Sequence, residues 1–286
     1  MLRPPQRQHA AARAPRMHRP LFTLPWPAPL VAGTLVRRYD RFLADVTLAS
    51  GETVAVHCVN SGSMEGFVRP GARVWLTPAP SPSRKLKWTW SLIELDGVTH
   101  GADTSLPNRI VKAMLEARAL PRLRGWSTLT PEHVHAPGSR VDFHLTVRGR
   151  SHDIEVKNCH LVYPDGRAYF PDSVSERATK HLEILTRHAR QGDDATVLFV
   201  VQRVDASCVR PSDLHDPAFG RAARKAADAG VRFRALRVHA TPEAVHVLGA
   251  LPVDLAPYDT GPHAAWRAAM RPFTGWQRSK APSRKA

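Results

Sequence analysis

Residues 141–147 alternate without interruption. Val141, Phe143, Leu145 and Val147 fall on one side of an extended chain, and Asp142, His144 and Thr146 fall on the other. Arg148-Gly149-Arg150 follows as a turn, after which Ile154 and Val156 oppose Asp153, Glu155 and Lys157. The pattern requires a hairpin with one buried face, because a one-residue slip would turn every apolar side chain toward water. The polar face of that hairpin brings Asp142, Glu155 and Lys157 to one surface. Two carboxylates at one point suit a hard cation with oxygen ligands, Mg²⁺ or Mn²⁺. A lysine beside them can hold an anion or orient a water.

An acid followed on the paired strand by acid-x-Lys is the pattern of PD-(D/E)xK nucleases. A metal there polarises a phosphate and lowers the pKa of a bound water. Taken alone, the triplet also fits an ordinary hairpin with a solvated charged face.

The 286 residues suffice for one large or two ordinary domains, and a 43% hydrophobic content suits a globular protein. The longest apolar runs, such as Val197 to Val201, are far too short to span a bilayer, so no membrane partner is expected. The net charge of +16 and pI of about 10.8 favour a polyanionic partner such as nucleic acid. Residues 1–30 and 257–286 each carry a net +5, which leaves +6 for residues 31–256. Both ends are read as disordered basic tails that add salt-sensitive, sequence-independent affinity. Cys58, Cys159 and Cys208 match no zinc spacing and suit a reducing cytoplasm. The Arg-rich, Pro-rich start lacks the apolar segment of a secretory signal, and its prolines favour a plain extension over a transit peptide.

Short strands are expected between residues 34 and 100, around the polar loop Asn60-Ser61-Gly62-Ser63-Met64. They predict a small OB-like β-barrel over 31–104. Arg84-Lys85-Leu86-Lys87-Trp88-Thr89-Trp90 is a basic-aromatic run, with cations for phosphate and indoles either stacking on bases or filling the barrel. From 105 to 256 the order is helix (108–120), loop (125–138), hairpin, helix, strand (195–201), helix (219–229) and strands. That order predicts an α/β (α+β) domain. The second helix is expected to be capped by Ser173 with Glu176.

The chain resembles the sugar fermentation stimulation protein A (SfsA) family. The resemblance rests on 37–46 (RRYDRFLADV), 57–64 (HCVNSGSM), Arg84-Lys85-Leu86 with Thr89-Trp90, and Asn108-Arg109. It continues through 139–143 (SRVDF), Glu155-Val156-Lys157 and 170–182 (FPDSVSERATKHL). It spans about residues 31–255 and omits both tails. Ser61, Ser91 and Asn158 depart from the residues usual at those places, and none of them is a proposed ligand.

The resemblance implies a bacterial or archaeal cytoplasmic DNA-binding protein, with an OB-like domain followed by a PD-(D/E)xK nuclease-like domain. It implies Asp142 and Glu155 as metal ligands, Lys157 as the catalytic lysine, and Glu176, Lys180 and His181 lining the same cleft. The expected nucleic-acid contacts are Arg37, Arg38, Arg41, Arg84, Lys85, Lys87, Arg109, Arg140, Lys180 and His181, with Asn60 and Glu176 as cleft support. The expected function is metal-dependent DNA or RNA hydrolysis; the alternative is a non-catalytic DNA-binding regulator of sugar (maltose) metabolism. Glu132 is read as a further acid near the metal, and His135 and His144 as incidental. Oligomeric state is left open, with a homodimer among the options.

Overall fold

The first strand, β1 (Phe22–Pro25), skips the barrel that follows it and pairs antiparallel with the last strand of the chain. The computed structural model describes residues 19–81, 83–136 and 139–279. Next come β2 (Val31–Tyr39), β3 (Leu43–Leu48), β4 (Thr53–His57), β5 (Arg73–Pro78), β6 (Trp88–Leu95) and β7 (Val98–Gly101). They are ordered β4-β3-β2-β5-β6-β7, and a parallel bridge between His57 and Thr89 closes β4 onto β6 as a five-stranded OB barrel. Inward residues such as Leu35, Val46, Val56, Val74, Leu76 and Ile93 fill it. Trp90 is fully buried among them, and its indole N–H donates to the Leu92 carbonyl (3.0 Å). Trp88, two residues away on the strand, packs half-buried against the same cluster. Trp90 therefore fills the barrel and offers no face to a base.

The second domain runs α1 (Leu106–Glu116), β8 (Trp126–Ala136), β9 (Ser139–Val147), β10 (Arg150–Cys159), β11 (Leu161–Val162), β12 (Ala168–Phe170), α2 (Glu176–Arg190), β13 (Asp194–Val201), β14 (Val209–Pro211), α3 (Pro217–Asp228), β15 (Arg232–Ala240) and β16 (Ala244–Leu251). Its main sheet is ordered β1-β16-β15-β13-β10-β9-β8, with β10, β13 and β15 parallel at the centre. β11, β12 and β14 form a small separate sheet.

Both faces of the main sheet are covered, which explains the unbroken apolar run of β13. Leu198 and Val200 pack with Ile110, Met114 and Leu115 of α1. Val197, Phe199 and Val201 pack with Leu182 and Leu185 of α2 and Phe219 and Ala223 of α3. Trp75 and Leu92 of the barrel belong to the α1 cluster, so the two domains share one core. A polar clamp joins them as well. The Asp172 carboxylate accepts from the Met64 N–H (3.1 Å) and sits so close that a β-carbon at Gly62 would lie 2.4 Å from it.

The structure corrects several sequence expectations. Residues 126–136, expected to be a loop, form edge strand β8, where Pro131 is tolerated because an edge residue needs no outward ladder bond. Helix α2 begins after Ser175, whose hydroxyl accepts from the Ala178 N–H, and not after Ser173. The tails are not disordered where they are described. Besides β1, residues 257–279 contain α4 (Gly261–Met270) and a short 3₁₀ turn (Arg271–Phe273). His263 and Trp266 of α4 pack on Tyr163, and the Gln277 carbonyl accepts from the Asp40 N–H (2.9 Å). Burial of these aromatic residues outweighs the prolines that suggested disorder. Of the tail cations, Arg3, Arg7, Arg13, Arg16, Lys280, Arg284 and Lys285 lie outside the described residues.

Candidate metal and phosphate site

The ladder between β9 and β10 ends at Phe143 and Ile154. Beyond it β9 veers away, and Val141 joins the α2–α3 cluster instead of continuing the face of Phe143 and Leu145. The backbone N–H of Val156 is left without a ladder partner on that side, and the Asp142 carboxylate accepts it (2.7 Å). Asn108, in the first turn of α1, donates to the other Asp142 oxygen (2.8 Å). Strand, neighbouring strand and helix thus fix one carboxylate.

Glu155 and Lys157 project from β10 toward α2 and are 3% and 8% exposed. The Lys157 ammonium donates to Glu155 Oε1 (2.7 Å), and His181 of α2 contacts the same oxygen through Nδ1. Glu155 Oε2 is buried and has no hydrogen-bond partner. An orphaned carboxylate oxygen is costly without a cation to meet it.

The electrostatics agree. Burial, and then the charge of Glu155, push the Asp142 carboxyl up to about 6. Burial pushes Glu155 up too, but Lys157 and His181 outweigh it and hold that carboxyl below its ordinary value. Two adjoining carboxylates, one ionised and one reluctant to ionise, with a free buried oxygen between strand and helix, fit a divalent hard cation.

The raised Asp142 pKa also makes stability depend on pH. At about 6 it stands above the ordinary 3.8, so the folded chain holds that proton more tightly than the unfolded one. Without metal, the group favours folding as pH falls below about 6, and this contribution is lost as pH rises through that value. The full shift corresponds to about 3 kcal/mol. In EDTA, Asp142→Asn is expected to exceed wild type by about 2 kcal/mol at pH near 8, and to lose most of that advantage by about pH 4.5. Urea titrations across this range check it; a difference independent of pH would rule it out.

The nucleic-acid residues expected from sequence divide. Lys180 is exposed on α2 next to His181 in sequence, and half-buried Arg109 follows Asn108 on α1. Lys85 and Lys87 are exposed on the barrel. Arg38 is contradicted: it is 1% exposed, and its guanidinium donates to the carbonyls of Arg41, Asn60, Gly62 and Gly275. Its charge organises the 60–64 loop and is closed to a phosphate. Arg37 pairs with Asp45 (2.7 Å), Arg41 donates to the Ser61 carbonyl, and Arg84 contacts His57 and Thr89. Arg140 pairs with Glu132 (3.0 Å), which directs that acid to an exposed ion pair. Asn60 is buried, and its side-chain oxygen accepts from the Gly62 N–H, a loop role. Glu176 is exposed as the first residue of α2, where its charge suits the helix N-terminus.

Sequence reasoning did not assign Asn108 to the site, although it stands just after the Ser105-Leu106-Pro107 helix start. It also set aside His135 and His144, which the structure brings together with His133, His188 and Asp153.

A closed OB barrel joined to a mixed α/β domain, with an acid pair and a buried lysine on the central hairpin, defines a two-domain protein of the OB plus α/β type. The model of the SfsA N-terminal OB domain matches residues 36–100, and that of the sugar fermentation stimulation protein RE domain matches 105–244. The chain belongs to the SfsA family. It is 47% identical over 227 residues to the sugar fermentation stimulation protein homolog of Geobacter sulfurreducens, covering 79% of this chain and 97% of that one. The homolog from Jannaschia sp. is 45% identical over 235 residues, covering 81% and 98%. Among solved structures, Pyrococcus furiosus SfsA in complex with Ca²⁺ superposes with a TM-score of 0.75 at 25% identity, covering 83% of this chain and all of that one. No helix among the described residues is long and apolar enough to cross a membrane.

Proposed function

We propose that this protein is a metal-dependent nuclease that hydrolyses phosphodiester bonds in DNA or RNA. The observation that carries the reading is the buried Glu155 Oε2, which has no partner and lies beside Asp142, Lys157 and His181. Asp142 and Glu155 would hold Mg²⁺ or Mn²⁺. When bound, the ion supplies Lewis acidity toward a phosphate oxygen and a lowered pKa for water. Lys157 places an ammonium where charge develops on the phosphate, in a site dry enough for that charge to count. His181 holds Glu155 in position, and Asn108 holds Asp142. Lys180, Arg109 and the barrel lysines supply cations along the approach. The Pyrococcus protein was solved in complex with Ca²⁺, itself a hard cation, and this supports the metal reading here.

A second reading is a non-catalytic DNA-binding regulator, as the family name suggests for sugar use. It draws on the Glu155–Lys157–His181 contacts, which partly satisfy the site from within. Labelled single- and double-stranded DNA and RNA, incubated with MgCl₂, MnCl₂ or EDTA, separate the two. Cleavage that requires metal supports the nuclease. Salt-sensitive binding with no cleavage of any substrate in either metal overturns it in favour of the regulator.

A further inference from the structure

Four imidazoles and a carboxylate converge one step along the hairpin from the site above. Asp153 lies two residues before Glu155 on β10, and His144 two residues after Asp142 on β9. His188 lies seven residues after His181 on α2, and His133 and His135 come from β8. Thr130 pairs with His144, so plain alternation would turn His133 and His135 to the opposite side of β8. Glu132 interrupts it with a left-handed φ of +52°, and both rings come round to His144.

Asp153 is 2% exposed. Its Oδ1 lies 2.7 Å from His144 Nδ1, and its Oδ2 lies 2.6 Å from His188 Nδ1 and 2.9 Å from His135 Nε2. The His133 and His144 rings stack with centroids 4.4 Å apart, and His135 stands 4.6 Å from His133 and 4.5 Å from His188. A neutral imidazole keeps a lone pair on one nitrogen. Here the nitrogens of His135, His144 and His188 that face the buried Asp153 carboxylate donate to it, and a divalent cation that displaces those protons would gain the same atoms as ligands. The ligand atoms of His135, Asp153 and His188 lie within 4.8 Å of one another, as do those of His133, His135 and His144.

We propose that this cluster is a second metal site, selective for a transition-metal ion of the Zn²⁺ class, with His135, His188 and Asp153 as ligands and His144 and His133 closing it. Nitrogen-rich donors favour Zn²⁺ over Mg²⁺, whereas the Asp142–Glu155 pair offers oxygens alone. The ion would tie edge strand β8 to β10 and α2.

The test titrates ZnCl₂ into tag-free, metal-stripped full-length protein in millimolar MgCl₂, which occupies the carboxylate pair. One Zn²⁺ per chain is expected, with Tm raised by about 5 °C at a hundredfold excess over Kd. His135→Ala and His135→Gln should each weaken binding at least about 100-fold, and His144→Ala about 10- to 100-fold. Asp142→Asn should retain the bound Zn²⁺, as should His246→Ala at the separate His239–His246 pair. Absence of Zn²⁺ binding in MgCl₂ overturns the proposal. So does binding that survives both His135 variants or disappears with Asp142→Asn. None of these results depends on whether the protein cleaves nucleic acid.

Discussion

Replacing Lys157 with alanine is expected to lower Mg²⁺-dependent cleavage by about 10²- to 10³-fold while leaving nucleic-acid binding nearly unchanged. Lys157 is 8% exposed and points at Glu155 and not at solvent, so it contributes little to surface attraction. In the proposed hydrolysis its charge would act where water is scarce and the phosphate gains charge, which is where one donor matters most. The substitution also leaves the buried Glu155 carboxylate with His181 as its remaining side-chain contact. Metal-free Lys157→Ala should therefore melt lower than wild type, with Mg²⁺ recovering part of the loss. Single-turnover rates alongside melting curves with and without Mg²⁺ read both effects. A rate within about threefold of wild type would remove Lys157 from the chemistry.

Phe199→Ala carries the largest stability effect, a loss of about 3–5 kcal/mol. Phe199 is fully buried on the central strand β13, with its ring beside Phe170 (5.8 Å between centroids) and Phe233 (6.4 Å). Deleting the ring leaves a cavity that strands pinned on both sides cannot close. Lys157 is its registered neighbour on β10, so the cavity opens beside the site. Total stability is only about 5–15 kcal/mol for a typical domain, so the variant should unfold at much lower urea. A midpoint equivalent to less than about 1 kcal/mol would show that the core repacks.

The hairpin, the barrel and the acid–acid–lysine set were legible in sequence because period-two alternation reports which face each residue takes. It worked for Glu155 and Lys157 because β10 stays in register with β13 after its ladder with β9 ends, and for Asp142 because its carboxylate still meets the Val156 N–H across that gap. It failed at Val141, where β9 leaves its ladder with β10, and it was not applied to His133 and His135 because residues 125–138 read as a loop. Buried Arg38 was misread for a related reason. Arginine is usually a surface cation, and of the four carbonyl acceptors of Arg38 the three at Asn60, Gly62 and Gly275 come from two distant parts of the chain, invisible in local sequence. The Asn108 contact likewise depends on α1 packing beside the end of β9.

The C-terminal segment bears on how the molecule can be divided. Similarity to the family model stops at residue 244, yet the Gly275 carbonyl accepts from Arg38 and Arg267 lies 3.4 Å from the buried Glu65 carboxylate. The Phe273 carbonyl accepts from the Val68 N–H, and Gly275 donates to the Ser63 carbonyl. Residues 257–279 thus act as a strap over the very loop that clamps the barrel to the α/β domain. A protein shortened to the stretch the two family models match would expose that seam and strip partners from two buried charges of opposite sign. In this chain the span of the family models and the unit of folding end at different residues.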